Sequence, residues 1–183
     1  MRLFIAVPLP PPALEQAGFL LRGLMEREWP VRWVRDDGLH ITLKFFGEVM
    51  PDRLDAIEDA LRHAAAGIHS VSLALGTGGA LPTPRRPRVL HLEVHAGPEL
   101  EVLQDRLERA CSEIGFAPEG RPFIPHITLG RVREGHRLPA DAIRQLEGLP
   151  SGPSFRADRV VLFESRQTPG GPAYTVRSSQ LLV

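Results

Sequence analysis

The chain of 183 residues has one cysteine, one lysine and no asparagine. A lone cysteine excludes an internal disulfide, and the place of Cys111 on an apolar helical stripe favours a buried, inert thiol. No apolar run is long enough to span a bilayer, and the opening segment MRLFIAVPLPPP is too short and too rich in proline for a signal peptide. From these absences we expect an intracellular, cytoplasmic protein.

The chain also lacks an excess of positive charge, because 22 basic residues balance 22 acidic ones. Proteins that coat duplex nucleic acid by bulk attraction carry such an excess, so this class is excluded. The apolar fraction of 43% is typical of a globular domain. Lys44 stands out as the one lysine, although the general preference for arginine indicates genome composition or heat adaptation.

Hydrophobic periodicity predicts an α+β fold with two similar halves. In each half the tetrapeptide HITL lies in a strand that is followed by a helix and two strands. The short segments between these elements favour one bilobal domain over 1–183. The predicted helices cover 12–27, 52–66, 98–114 and 140–146. The predicted strands cover 3–7, 31–34, 39–49, 71–75, 88–95, 124–132, 155–166 and 173–183, with a Gly/Pro/Arg loop at 76–87.

The HITL segments occupy residues 40–43 and 126–129. Since successive side chains of a strand face opposite sides, each copy presents a histidine and a threonine about 7 Å apart on one face. Branched apolar residues then anchor the other face. The same alternation predicts that Lys44 faces the side of His40 and that Phe45 lies in the core.

A single histidine on a half-exposed strand is usually solvated, and a duplicated core pattern would explain the isoleucines and leucines. Neither interpretation explains why both histidines, His40 and His126, and both threonines, Thr42 and Thr128, are present. Two histidines suit displacement at phosphorus, where a neutral imidazole deprotonates water and an imidazolium protonates the leaving oxygen on the opposite side. Because an unperturbed imidazole has a pKa near 6.5, both forms are accessible around neutral pH. Hydroxyl and cationic groups can then stabilise the other phosphate oxygens, and no metal or cofactor is needed.

The segments HITLKFFG and RPFIPHITLGR resemble the two signature motifs of the 2H phosphoesterases. Within that superfamily the chain resembles the RNA 2′,3′-cyclic phosphodiesterases, also known as 2′-5′ RNA ligases. The likeness runs nearly end to end and includes RLFIAVPLP, VRWVRDDGLHITLKFFG, PRVLHLEV and RVVLFESRQTPGGPAYTV.

This resemblance implies a bilobal fold of antiparallel sheet with outer helices, in which each lobe gives one H-x-T strand to a central cleft. It implies metal-free opening of a terminal 2′,3′-cyclic phosphate of RNA to a 2′-phosphate. His40 would be the proton donor and His126 the proton acceptor, a polarity that the residues alone leave open. Arg131 matches a family arginine near the phosphate, but strand alternation places it opposite His126 unless the strand bends at Gly130.

Further residues are candidates for substrate contacts. Phe46 and Phe123 flank the motifs and suit stacking on a terminal base, with core packing as the alternative. Arg86, in the basic run at 85–88, suits a phosphate contact or a solvated loop. The segment HLEVH places His91, Glu93 and His95 on one face, yet the two histidines lie about 13 Å apart, too far to bind one metal ion. His91 is expected to face the cleft.

Three functions stay open from sequence alone. The first is the cyclic phosphodiesterase, and the second is ATP-independent 2′-5′ joining of tRNA halves or hydrolysis of a small cyclic nucleotide or 2′-5′ oligonucleotide. The third is a binding module for RNA ends without turnover, which the intact histidines and threonines argue against. We expect RNA as the partner, with no membrane or protein partner, and a monomer.

Overall fold

A computed structural model describes residues 1–169 and 171–183. Its strands, numbered along the chain, are β1 Arg2–Pro8, β2 Val31–Trp33, β3 His40–Glu48, β4 Val71–Thr83, β5 Arg86–Ala96, β6 His126–Val132, β7 Ser154–Ala157, β8 Arg159–Thr168 and β9 Gly171–Leu181. The helices are α1 Pro11–Met25, α2 Leu54–Ala65, α3 Pro98–Glu113 and α4 Ala142–Glu147, with single 3₁₀ turns at Asp36–Gly38 and Pro51–Arg53. No helix within the described ranges is long and apolar enough to cross a membrane.

All strands belong to one antiparallel sheet with the order β7-β4-β5-β6-β3-β1-β8-β9, and β2 pairs with β6 next to β3. The centre of the sheet lies between β3 and β6, which pair at Ile41 and Ile127. Of the eight strands in this order, four lie on either side of that point. Each half of the sheet therefore has one HITL strand at its inner edge. The predicted α+β class, with antiparallel sheet and outer helices, is confirmed.

The helices bury the apolar stripes that the periodicity predicts. Leu21 of α1, Ile57 and Leu61 of α2, and Leu103 and Leu107 of α3 are fully buried. They belong to one hydrophobic cluster with the core-facing residues of the strands. This cluster supports the face of the sheet opposite the two histidines, which leaves the histidine face open.

Two sequence predictions of the connections are wrong. The Gly-rich part of the predicted loop 76–87 is strand, because β4 continues to Thr83 and pairs with β5 beyond a register shift. A Cβ atom on Gly78 would lie 2.6 Å from the carbonyl oxygen of Leu146, so glycine is required for the close packing of α4 on β4. The predicted strand 155–166 is two strands, β7 and β8, which pair with β4 and β1 in opposite halves of the sheet.

A β-bulge follows the threonine in both HITL strands. In β3, Thr42 pairs with Ala6 and Lys44 pairs with Ile5, so Leu43 is the extra residue. In β6, Leu129 is the extra residue between Thr128 and Gly130, which pair with His91 and Leu90. The two strands consequently show the same burial pattern over their first seven residues. Each bulge reverses the alternation of side chains beyond it.

Candidate active site

A cleft of about 760 Å³ opens on the histidine face of the sheet. His40, Thr42, Thr128 and Arg131 line it, together with residues of β1, β2 and the β8–β9 hairpin. The structure thus brings both threonines and one histidine of the two motifs into one cavity. His126 shares the face of Thr128 on β6 and is partly exposed, but it is not among the residues that line this cavity.

The register between the two strands fixes the arrangement of these four side chains. Because Ile41 pairs with Ile127 in antiparallel orientation, His40 points towards Thr128 and Thr42 towards His126. The two imidazoles therefore occupy diagonal corners of a four-residue array.

Both imidazoles are held by the same local hydrogen bond. Nδ1 of His40 lies 2.7 Å from the carbonyl oxygen of Gly38, and Nδ1 of His126 lies 2.7 Å from that of Ile124. A carbonyl oxygen can only accept, so Nδ1 must carry the proton in each ring. In the neutral ring Nε2 is then a free base, and in the imidazolium it is a proton donor.

An aromatic wall surrounds His40. Its ring stacks on Phe4 at 4.8 Å between centroids and contacts the edge of Tyr174 at 5.4 Å, with Phe163 at 6.3 Å. Burial lowers the pKa of His40 to about 4; the hydrogen bond to Gly38 opposes the shift, and the charge of His126 adds to it. Burial also raises the pKa of Tyr174, against the lowering effects of Arg131 and Arg2.

His91 is the third imidazole of this region. It is 5% exposed, and its ring meets the edge of the His126 ring at 5.3 Å between centroids. It pairs with Thr128 across β5 and β6, which places it on the histidine face, although it is not among the residues that line the cleft. Burial lowers the pKa of His91 to about 4, and the charge of His126 adds to the shift.

The prediction that Lys44 lines the cleft is wrong. The bulge at Leu43 turns Lys44 into the protein, where Nζ donates to Oε2 of Glu108 at 2.7 Å and to the carbonyl of Ala117 at 2.8 Å. Lys44 is 6% exposed. It therefore connects β3 to α3 and to the segment that leads to β6, with a structural role.

The same bulge reverses the prediction for Phe45, which is 50% exposed and lines the cleft. By the equivalent mechanism Arg131 does face the cleft, because the bulge at Leu129 restores it to the side of His126. The bend thus lies one residue before Gly130. Gly130 itself is required because a Cβ atom there would collide with Val31 and Trp33 of β2.

The remaining candidates lie outside the cleft. Phe46 packs against the core and meets the ring of Phe116 at 4.9 Å, and Phe123 is partly buried against the same core. Arg86 is exposed near the turn between β4 and β5, where its backbone N–H donates to Oγ1 of Thr83 at 3.2 Å. Among the residues that the structure describes, no three His, Cys, Asp or Glu side chains are grouped closely enough to bind a metal ion.

Sequence analysis missed several residues of the cleft, among them Arg2, Arg32 and Tyr174. Each lies in a segment that was singled out for its family likeness but was not assigned a role. Arg32 precedes a tryptophan in the short strand β2, and the alternation of this strand was the available signal. Arg2 and Tyr174 depend on the pairing of β8 with β1 and β9, which is not visible in the sequence.

The fold and the pair of H-x-T strands that meet across one cleft define a 2H phosphoesterase. The family model described as the 2′-5′ RNA ligase superfamily matches residues 10–169, and the chain belongs to this family. The resemblance derived from the two motifs is confirmed.

Relatives and solved structures agree with this assignment. The chain is 34% identical to the RNA 2′,3′-cyclic phosphodiesterase of Methanothermobacter thermautotrophicus over 96% of this chain and 95% of the relative. It is 32% identical to the enzyme of the same name from Thermotoga maritima, over 96% and 92%. The structure of E. coli LigT complexed with 3′-AMP superposes with a TM-score of 0.77 at 26% identity, over 99% of this chain and 97% of that one.

Proposed function

We propose that the protein hydrolyses the terminal 2′,3′-cyclic phosphate of RNA to a 2′-phosphate, without a metal ion, in the cytoplasm. The observation that carries this proposal is the matched pair of imidazoles, His40 and His126, each with Nδ1–H bound to a backbone carbonyl. Both present Nε2 for proton transfer from diagonal positions. The name of the relatives supports the same substrate.

In the proposed reaction the cyclic phosphate lies between the two imidazoles, near Thr42 and Thr128. Nε2 of His126 accepts a proton from water as the water oxygen forms a bond to phosphorus. The bond between phosphorus and O3′ breaks on the opposite side, and His40 gives its Nε2 proton to O3′. The phosphate stays on O2′, so one water molecule is consumed and a 2′-phosphate is formed.

The surroundings of His40 bear on its role as the proton donor. A donor must be protonated, yet burial lowers the pKa of His40 to about 4 in the free protein. A bound phosphate anion beside the ring favours the imidazolium and raises its pKa. We therefore infer that His40 takes up its proton from solvent as the substrate binds.

The threonines and Arg131 complete the proposed site. The hydroxyls of Thr42 and Thr128 can donate hydrogen bonds to the non-bridging oxygens, and the guanidinium of Arg131 can balance the charge that develops on them. Each lobe contributes one histidine and one threonine. We propose that the two lobes act as a single catalytic domain for this reason.

The test is an RNA that ends in a 2′,3′-cyclic phosphate, incubated with the protein in excess EDTA. The expected product is the 2′-phosphate alone, identified by its mobility against 2′- and 3′-phosphate standards. A 3′-phosphate product would reverse the proposed leaving group, and loss of activity that Mg²⁺ or Zn²⁺ restores would contradict the metal-free reaction. No turnover in either condition would leave a binding function for RNA ends.

The local symmetry of the two imidazoles supports a second activity. Because His40 and His126 carry the same Nδ1 hydrogen bond, each can act as acid or base, as the reverse reaction requires. An RNA 5′-hydroxyl in place of water would give a 2′-5′ bond without ATP. Incubating tRNA halves with the protein and no ATP tests this; a joined product that resists RNases specific for 3′-5′ bonds is expected.

A further inference from the structure

Two arginines lie side by side at one end of the cleft. Arg32 of β2 pairs directly with Arg131 of β6, and both side chains line the cavity. Directly opposed side chains of an antiparallel pair have Cβ atoms about 5 Å apart, and like charges at this distance destabilise the sheet. An arrangement with this cost indicates an anion that binds between or beside the two guanidinium groups.

The cleft offers these arginines no acidic partner. Among its described lining residues there are three arginines, Arg2, Arg32 and Arg131, and no aspartate or glutamate. Within residues 1–169 and 171–183 no ion pair involves any of the three. The chain as a whole is neutral, so three arginines without an acidic residue beside them make the cavity positive relative to the protein as a whole.

The geometry separates the roles of the two guanidinium groups. Beyond the bulge, Arg131 lies on the same strand face as Thr128 at the next outward position, about 7 Å away along β6. It is therefore the arginine in line with Thr128 and with the reacting phosphate. Arg32 lies one strand spacing, about 5 Å, to the side of Arg131, on the edge of β6 where β3 also pairs.

We propose that Arg32 binds the internucleotide phosphodiester on the 5′ side of the terminal nucleoside. The cleft would then distinguish the end of an RNA chain from a free cyclic mononucleotide, which has no second phosphate. This inference rests on the proposed function, because it assigns Arg131 to the reacting cyclic phosphate. It adds a second phosphate position to the site and names the oligonucleotide as the preferred substrate class.

Three substrates test the proposal with the intact protein. These are adenosine 2′,3′-cyclic phosphate, the dinucleotide ApA with a terminal 2′,3′-cyclic phosphate, and the same dinucleotide with a neutral methylphosphonate as its internal linkage. For the unmodified protein we expect kcat/KM to be about 10-fold or more higher for the charged dinucleotide than for the mononucleotide. The methylphosphonate should lose most of this advantage.

The variant Arg32→Gln removes the charge without a carboxylate in its place. The ratio of kcat/KM for the charged dinucleotide to that for the mononucleotide should fall about 10-fold, and the slope of log kcat/KM against log salt should become shallower by about 0.7. Arg62→Gln is the matched control, since Arg62 is exposed on α2 and pairs with Asp59. It removes the same charge outside the cleft and should leave the ratio unchanged.

The outcomes separate this inference from the proposed function. If none of the three substrates is hydrolysed, the proposed function itself fails. If all three are hydrolysed at similar rates, or if Arg32→Gln lowers them equally, the reaction stands and the second phosphate position is overturned. If the methylphosphonate dinucleotide kept the full increase in kcat/KM over the mononucleotide, the increase would come from base or sugar contacts. This result also contradicts the proposal.

Discussion

Phe45 and Arg131 occupy equivalent positions in the two halves of the molecule. Each lies three residues after the threonine of its H-x-T motif, and each faces the cleft. In both strands a bulge at the leucine after that threonine turns the side chain to this face. The inner residues of the two motifs are identical, whereas this outer pair differs. One end of the cleft therefore carries the paired guanidinium groups of Arg131 and Arg32, and the other carries an aromatic ring over which the guanidinium of Arg2 lies at 5.1 Å.

This difference gives direction to an otherwise symmetric site. A cyclic phosphate that binds at the centre has neighbouring phosphate on one side and a nucleoside on the other. The cationic end at Arg131 suits phosphate, and a phenyl ring suits contact with a base.

The first prediction concerns the two imidazoles. His40→Ala and His126→Ala should each lower kcat by about 10³-fold or more, because each removes one proton transfer and the partner cannot supply both. RNA binding should change little. His136→Ala is a suitable control, since Nδ1 of His136 makes the same hydrogen bond to the carbonyl two residues before it, at 2.9 Å, on the exposed surface. Full activity of either active-site variant would exclude the two-histidine mechanism.

The second prediction concerns the protonation of His40. Its pKa is about 4 in the free protein because of burial. The dianion of a bound 2′-nucleotide should raise this pKa by at least one unit, since a neighbouring negative charge favours the imidazolium. NMR titration of the ring protons, with and without adenosine 2′-phosphate, measures both values. An unchanged pKa in the complex would make His40 unsuitable as the donor near neutral pH.

The sequence was sufficient for most of the elements and for the inner part of the site, although it merged β7 with β8 and gave the end of β4 as a loop. Two HITL copies with period-2 alternation predict which faces carry His40, Thr42, His126 and Thr128, and three-residue and four-residue spacing predicts the buried faces of the helices. These patterns are local, so they can be read without knowing which strands pair. The order helix, strand, strand after the first motif follows for the same reason, whereas a helix and three strands follow the second motif.

The outer part of the site depends on the bulges. Leu43 and Leu129 have nothing in their residue type that indicates an extra, unpaired position, because a bulge is a property of the register between two strands. Because the sequence prediction continued the alternation of side chains past the bulge at Leu43, it placed Lys44 and Phe45 on the wrong faces of the strand. The contributions of Arg2 and Tyr174 require knowledge of which strands are neighbours, which a single sequence does not provide.

The third prediction concerns the ion pair of Lys44 with Glu108, whose side chains are 5% and 14% exposed. Lys44→Met leaves a largely buried carboxylate without its partner and should lower the free energy of unfolding by about 3 kcal/mol. The double variant Lys44→Met with Glu108→Leu should recover most of this loss, because no charge remains to be desolvated. Urea unfolding at pH 7 measures the changes.

The exposed pair of Arg62 with Asp59 serves as the comparison, with side chains 59% and 57% exposed. Arg62→Met should change the free energy of unfolding by less than about 0.5 kcal/mol. If Lys44→Met had an equally small effect, the buried pair would not stabilise the connection between β3 and α3. A double variant no more stable than Lys44→Met would show that packing, not the unpaired charge, causes the loss.

The last prediction concerns His91 and the dependence of stability on pH. The folded state lowers the pKa of His91 from 6.5 to about 4, so it disfavours the imidazolium. Above pH 6.5 the ring is neutral in both states and has no effect on this dependence. As the pH falls from 6.5 towards 4, the unfolded chain binds a proton that the folded protein does not, and stability decreases.

His91→Gln removes the imidazole that titrates and keeps a polar side chain of similar length. Between pH 6.5 and 5 the free energy of unfolding of the variant should fall by about 1.5 kcal/mol less than that of the unmodified protein, since one pKa unit is worth about 1.36 kcal/mol and the unfolded ring is only half protonated at pH 6.5. Urea unfolding at several pH values measures both slopes, with His63→Gln on the exposed face of α2 as the control. If the free energy of unfolding changed equally with pH in the unmodified protein and in His91→Gln, His91 would be protonated in the folded state. The prediction that its ring stays neutral beside His126 would then be wrong.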